Sequence, residues 1–170
     1  MTIENSQPNA LRAASEDLTV YYFNLVPCPA PRMVQSDKWK KRPCVVRYFT
    51  FRDELQRQAN QQGFTLCNGL TYIFLLPMPD SWSKKKKDAM RHQLHEQTPD
   101  IDNLQKSLMD GMLSQDKAIA HIQNIFKLWS DSGQIIIIKP WNEWTNGSLE
   151  LIQDLIKNPK DYNIFDNRKR

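Results

Sequence analysis

Thr98-Pro99-Asp100-Ile101-Asp102-Asn103-Leu104-Gln105-Lys106 joins a proline-restricted start to an amphipathic run. Pro99 disfavours helix at Thr98 and predicts extended backbone there. Residues two apart on an extended segment point the same way, so Asp100 and Asp102 are expected to present their oxygens to one point. Ile101, Leu104, Leu108 and Met112 then recur at spacings of three and four, which predicts a helix over residues 101–113. Asp102, Lys106 and Asp110 follow on a second stripe, with Lys106 one turn above the acidic pair. Such a pair suits a hard cation like Mg²⁺, which takes few carboxylates, keeps several waters and leaves positions for a substrate phosphate. Lys106 would face that phosphate. The same residues also read as an ordinary helix start, with Asp as N-cap and Asp102–Lys106 as a surface ion pair worth about 0.2–0.5 kcal/mol. The two readings are compatible, because a capping Asp can also bind a metal.

Outward from this motif the chain alternates strand and helix signals. Leu18 to Val26 is β-branched and aromatic and predicts a strand. Prolines 27, 29 and 31 end it and predict an extended loop to Pro43. Val45 to Gln62 carries helix formers, with Val45, Phe49, Leu55 and Ala59 weakly periodic and Gly63 as the stop. Leu70 to Leu76 is a nearly unbroken apolar run, expected as a central strand buried on both faces and ended by Pro77 and Pro79. Trp82 to Arg91 predicts a short helix. Ile119 to Leu128 and Gln134 to Lys139 predict a hairpin joined by a Ser130–Gly133 turn, with Ile135–Ile138 the most buried strand. This order predicts an α/β (α+β) fold, one mixed sheet with helices packed on it. Residues 1–16 are expected to be a mobile tail, 17–140 the main domain, and 141–170 a helical extension. In the extension, Leu149, Ile152, Leu155 and Ile156 share a face, Ser148 caps and Asn158-Pro159 stops. That helix is expected to pad the core or to form a dimer contact.

Hydrophobic residues make up 40% of the 170, enough for a real core. No apolar stretch approaches a membrane span, and the start lacks the profile of a signal peptide. Cys28, Cys44 and Cys67 are odd in number and form no C-x-x-C pair, so free thiols in a reducing cytosol are expected. No glycine-rich phosphate loop is present, which argues against a nucleotide cofactor. His92 and His95 lack the companions of a zinc site.

The net charge of +4 is uneven. Basic residues gather at Arg32, Lys38, Lys40, Lys41 and Arg42, around Trp39, and again at Lys84, Lys85, Lys86 and Lys87. Cations beside a carboxylate site suit a polyanion such as DNA. For the lysine run alone a solvated face is the more ordinary reading. Trp39 reads equally as a base-stacking side chain and as one packed on its own domain.

Pro99-Asp100-Ile101-Asp102-Asn103-Leu104, with Lys106 and Asp110, resembles the signature of RusA-type Holliday-junction resolvases. Met78-Pro79-Asp80-Ser81-Trp82-Ser83 with Lys84–Lys86, His95 and Gln97 is similar to the lead-in of phage-type members. Pro27-Cys28-Pro29-Ala30-Pro31-Arg32-Met33, Asp37-Lys38-Trp39, Arg42-Pro43 and Tyr48 resemble their amino-terminal region. The resemblance runs from about Thr19 to Lys139. It implies a Mg²⁺-dependent endonuclease, with Mn²⁺ substituting, that cuts four-way DNA junctions as a homodimer, in the cytoplasm of a bacterium or encoded by a phage. It implies a third metal-binding Asp after the motif helix, usually the second of an Asp-Asp pair. Asp116, preceded here by Gln115, is the preferred candidate, and Asp131 the other. Asn103 is expected to orient a carboxylate. A branch-binding protein that no longer cuts, and a flap or fork nuclease, are the alternatives.

Overall fold

The computed structural model describes residues 19–113, 119–139 and 149–158. The elements are β1 (Thr19–Phe23), a 3₁₀ turn (Gln35–Lys38), α1 (Pro43–Gln62), β2 (Leu70–Pro77), α2 (Lys84–Met90), α3 (Ile101–Met112), β3 (Ile122–Ser130), β4 (Gln134–Lys139) and α4 (Leu149–Lys157). They form the expected α+β arrangement, a four-stranded mixed sheet with helices packed on it. The expected N-terminal tail, Asp116, Trp141, Trp144, the Ser148 cap and the basic C-terminus lie outside the described residues.

Helix α1 starts on Pro43, at a position where a missing N–H costs nothing. It ends where Gly63 takes up φ 61°, the left-handed conformation that glycine adopts without a Cβ penalty. Its buried side chains include Tyr48, Phe51, Leu55 and Ala59. Phe49, expected on that face, is 39% exposed, because weak periodicity in the sequence left the phase of the helix undetermined.

The sheet order is β1-β4-β2-β3. Strand β2 is therefore interior, as expected; it runs parallel to β3 and antiparallel to β4. The expected β3–β4 hairpin does not form. Phe74 of β2 stands between Lys127 of β3 and Ile135 of β4, and β4 pairs on its far side with β1. The short connection after Ser130 carries the chain past β2, roughly 10 Å at ~4.8 Å per strand, which three residues can span. Burial explains the choice. Ile135–Ile138 offers no polar face, and all four isoleucines are at most 2% exposed. An interior position flanked by strands and covered on both faces is the one that hides them all.

The two faces carry separate cores. On one, Tyr72, Phe74, Leu76, Ile135 and Ile137 meet α1 through Tyr48, Phe51 and Leu55, and α3 through Leu104 and Leu108. Helices α1 and α3 approach closely at Gly111, where an added Cβ would lie 3.0 Å from the Leu55 side chain. On the other face, Ile73, Leu75, Leu128, Ile136 and Ile138 meet Ile152 and Leu155 of α4. Of the two roles expected for this last helix, these side chains perform core padding. No helix among the described residues is long and apolar enough to cross a membrane.

Candidate active site

Strand β3 lies at the edge of the sheet, and the chain leading into α3 runs along it. His92 donates to the Trp129 carbonyl at 2.8 Å, Trp129 to the Gln93 carbonyl at 3.0 Å, and His95 to the Lys127 carbonyl at 2.8 Å. These bonds satisfy part of an edge that would otherwise expose unpaired backbone groups. The Lys127 ammonium then donates to the carbonyls of Gln97 at 2.6 Å and Pro99 at 2.8 Å. A lysine in mid-strand thus clamps the peptide immediately before Asp100.

Asp100 is extended, with φ −68° and ψ 146°, and Ile101 opens α3. Asp102 already belongs to the first helical turn. The extended geometry expected for the pair therefore holds for Asp100 alone, because the helix begins one residue earlier than the acidic spacing suggested. Both side chains nevertheless line one open depression of about 720 Å³, with His95, Thr98, Ile101, Phe126 and Lys127 among its other walls. Asp100 makes no side-chain capping bond. Neither carboxylate has a hydrogen bond or ion pair among the described residues. The positive end of α3 favours negative charge at this spot.

Lys106 lies on the expected stripe, but its ammonium sits 3.0 Å from Asp110 and not against Asp102. Its side chain is 60% exposed, and such a surface pair is worth little, about 0.3–0.5 kcal/mol. Asn103 is half-buried, and its carbonyl accepts from the Ala30 N–H at 3.3 Å. That bond ties the proline-rich loop to the start of α3, one residue past Asp102.

The two candidates for a third acid differ. Asp131 lies on the turn after β3, where Arg91 holds both its oxygens, at 2.7 and 3.0 Å. This pairing keeps its carboxyl below the usual carboxylate range. Its position is four residues past Lys127, roughly 13 Å along the strand. Asp116 is not among the described residues, and among those residues no three acidic, His or Cys side chains gather as a metal site. The donors in the depression include the carboxylate oxygens of Asp100 and Asp102, the chemistry that suits Mg²⁺.

The expected DNA-contacting residues divide. Arg32, Lys40 and Lys41 are exposed. Arg42 is committed elsewhere: its guanidinium grips Asp37 at 2.5 and 2.6 Å and donates to the Arg32 carbonyl at 2.8 Å. The fork holds the Asp37 carboxyl below its ordinary pKa and raises that of Arg42. Lys38 ends the 3₁₀ turn, and its side chain lies outside the description. In α2, capped by Ser83, no residue is buried; Lys84 and Lys85 face solvent, Lys86 sits 3.9 Å over the Trp82 ring, and Lys87 approaches Asp80 at 3.9 Å.

Sequence reasoning gave no site role to Lys127, and it left the packing of His95 open. The signal for Lys127 was a charge inside the otherwise apolar Ile125–Trp129 run. Lys127→Met keeps the stem and removes both carbonyl bonds. Charge-assisted bonds are worth about 1.5–3 kcal/mol, so amide exchange over residues 100–105 is expected to quicken roughly tenfold or more. Unchanged exchange there would show the clamp to be idle.

His95 is 5% exposed and its ring lies 3.7 Å from that of Trp129. Its Nδ1 accepts from the Gln97 N–H at 3.3 Å. Burial lowers its pKa below 6.5, and burial does the same at His92. The fold therefore keeps these rings neutral while the unfolded chain protonates them. Their stabilising contribution is complete above the ordinary imidazole value and is lost as pH falls below it. The urea midpoint is expected to drop between about pH 7.5 and pH 5.5, and His95→Gln to shrink that drop. An identical drop in the variant would place the effect in other groups.

Uncommitted carboxylates at a helix start, an open depression around them and exposed cations on adjoining segments fit an enzyme that cleaves the phosphodiester backbone of a nucleic acid. The Endodeoxyribonuclease RusA family matches residues 26–139, and the chain belongs to that family. It is a Holliday-junction endonuclease, a phosphodiester hydrolase. The match ends at Lys139, as the resemblance in the sequence does. No curated protein shows a significant match to the chain.

Proposed function

We propose that the chain resolves four-way DNA junctions by Mg²⁺-dependent hydrolysis, with Asp100, Asp102 and Asp116 holding the metal and Mn²⁺ able to replace it. The observation that carries this reading is the pair Asp100 and Asp102, both without partners among the described residues, in one open depression. A cation held there would supply an acidified water and offset charge on the phosphoryl oxygens. Lys106, 60% exposed and one turn along α3 from Asp102, faces the scissile phosphate. Lys127 holds the peptide that carries Asp100, so the carboxylate is preorganised before substrate arrives. Asn103 steadies the acidic turn from behind. Arg32, Lys38, Lys40, Lys41 and Lys84–Lys87 hold the phosphate backbone of the arms, while Arg42 acts by bracing its loop.

One chain carries the Asp100–Asp102 depression once, and a junction has two strands to cut. A homodimer with two-fold symmetry matches the two-fold symmetry of the substrate.

The test is cleavage of a synthetic four-way junction, a flap and a linear duplex by the purified chain, across a range of Mg²⁺ and Mn²⁺. Paired nicks in the junction, abolished by chelator, are expected. Tight binding without product at any metal concentration would make this a branch-binding protein, and equal cutting of the flap would make it a fork or flap nuclease. Asp116→Asn is expected to abolish cutting. Asp131→Asn is expected to leave it, since that carboxylate serves Arg91. The reverse result would make Asp131 the third ligand.

A further inference from the structure

We propose that Trp39 is a stacking platform for an unpaired nucleobase at the branch point of the DNA, an inference that rests on the branched-DNA reading above. Trp39 is 73% exposed, against the strong tendency of this side chain to be covered. Met33 and Val34 on the same loop are 48% and 44% exposed, so one short segment presents three large apolar side chains to solvent. A loose loop could do this by accident, but this loop is stapled. Asp37 accepts from Arg42 through both oxygens and from the Val34 N–H at 2.8 Å, and Arg42 also closes the loop onto the Arg32 carbonyl. The Trp39 and Lys40 N–H groups both donate to the Ser36 carbonyl, at 3.2 and 2.8 Å. The backbone under the indole is therefore fixed before any ligand arrives, and ordering it costs little on binding.

Position and charge select the occupant. The base of the loop is fastened to the acidic helix by the Ala30–Asn103 bond, two residues before Arg32. Arg32, Lys40 and Lys41 flank these apolar residues in the chain and are exposed. A second copy of the chain docking symmetrically here would bring these cations against their own counterparts, which is repulsive. Nucleic acid brings phosphate to the cations and a base face to the indole. Paired duplex offers no free face, whereas bases at a crossover unstack cheaply, and an aromatic partner accepts any base because stacking does not read sequence.

The test compares the full chain with Trp39→Ala and Trp39→Phe in chelator, so that no cutting occurs. Fluorescence anisotropy measures binding to a four-way junction and to linear duplex, and 2-aminopurine at the branch point or inside an arm reports stacking. Trp39→Ala is expected to weaken junction binding roughly tenfold and duplex binding little, while Trp39→Phe retains most of the affinity. Binding of the wild-type chain is expected to quench the branch-point probe more than binding of Trp39→Ala does, with the arm probe unchanged. Wild-type affinity and emission in Trp39→Ala would overturn the inference while leaving the nuclease reading intact. Equal loss on junction and duplex, or an altered sedimentation coefficient of the free variant, would also overturn it, showing a general or oligomeric role. If the wild-type chain itself shows no preference for the junction, the branched-DNA reading fails and takes this inference with it.

Discussion

Asp102→Asn is expected to lower junction cleavage by on the order of 10³-fold or more, while binding to the same junction stays within about threefold. The substitution replaces an oxygen anion by an amide of nearly the same shape. It removes a hard, charged ligand from the depression and leaves the surrounding surface as it was. Asp102 is exposed and has no partner among the described residues, so the fold loses no bond with it. Its place in the first turn of α3 contributes only a helix-dipole term of about 0.3–1 kcal/mol, too little to unfold the chain. A measured melting temperature close to wild type, together with lost cleavage, would separate chemistry from folding. Cleavage within tenfold of wild type at saturating Mg²⁺ would remove Asp102 from the catalytic set.

Leu108→Ala tests the frame that holds the site. Leu108 is fully buried on the face of α3 that meets α1 and the sheet. Losing its side chain is expected to cost about 3–4 kcal/mol, since the cavity adds to the lost transfer energy. Collapse into the cavity is restricted, because α1 and α3 already touch at Gly111 and Leu55. Against a total stability of about 5–15 kcal/mol this is a large fraction. Urea unfolding at neutral pH would measure it, and a cost below about 1 kcal/mol would mean that α3 is less firmly seated than its burial implies. Remaining folded protein should still bind and cut, because the acidic pair lies on the opposite, exposed side of the helix start.

The elements with strong local signals were legible in the sequence. Gly63 stops α1, Pro77 closes β2, and the 101–112 periodicity gives α3 to within one residue. The isoleucine run was correctly read as a buried strand, although β2 is buried over more of its length. Its partner was not, because a turn-forming Ser-Asp-Ser-Gly segment fits either a hairpin or a step across β2. Strand partners depend on which position covers both faces, and no single strand carries that information. The acidic pair was legible as chemistry, since two carboxylates at a helix start are visible in any reading. The clamp from Lys127, the commitment of Arg42 to Asp37 and the pairing of Lys106 with Asp110 were not. Each depends on which opposite group comes within about 3 Å, and several candidates were equally near in sequence.

By itself the sequence determined what kind of parts this protein has: apolar runs that must be buried, a helix opening on two acids, and cations clustered in two separate stretches. Those follow from local propensity and composition. Only the tertiary structure decided which parts meet. It set β4 on the far side of β2 from β3, laid the chain before Asp100 along the edge of β3, and fastened the Trp39 loop to the acidic helix. Burial and hydrogen bonding between distant segments fix such choices, because they act on the whole surface to be covered and not on any one stretch of it.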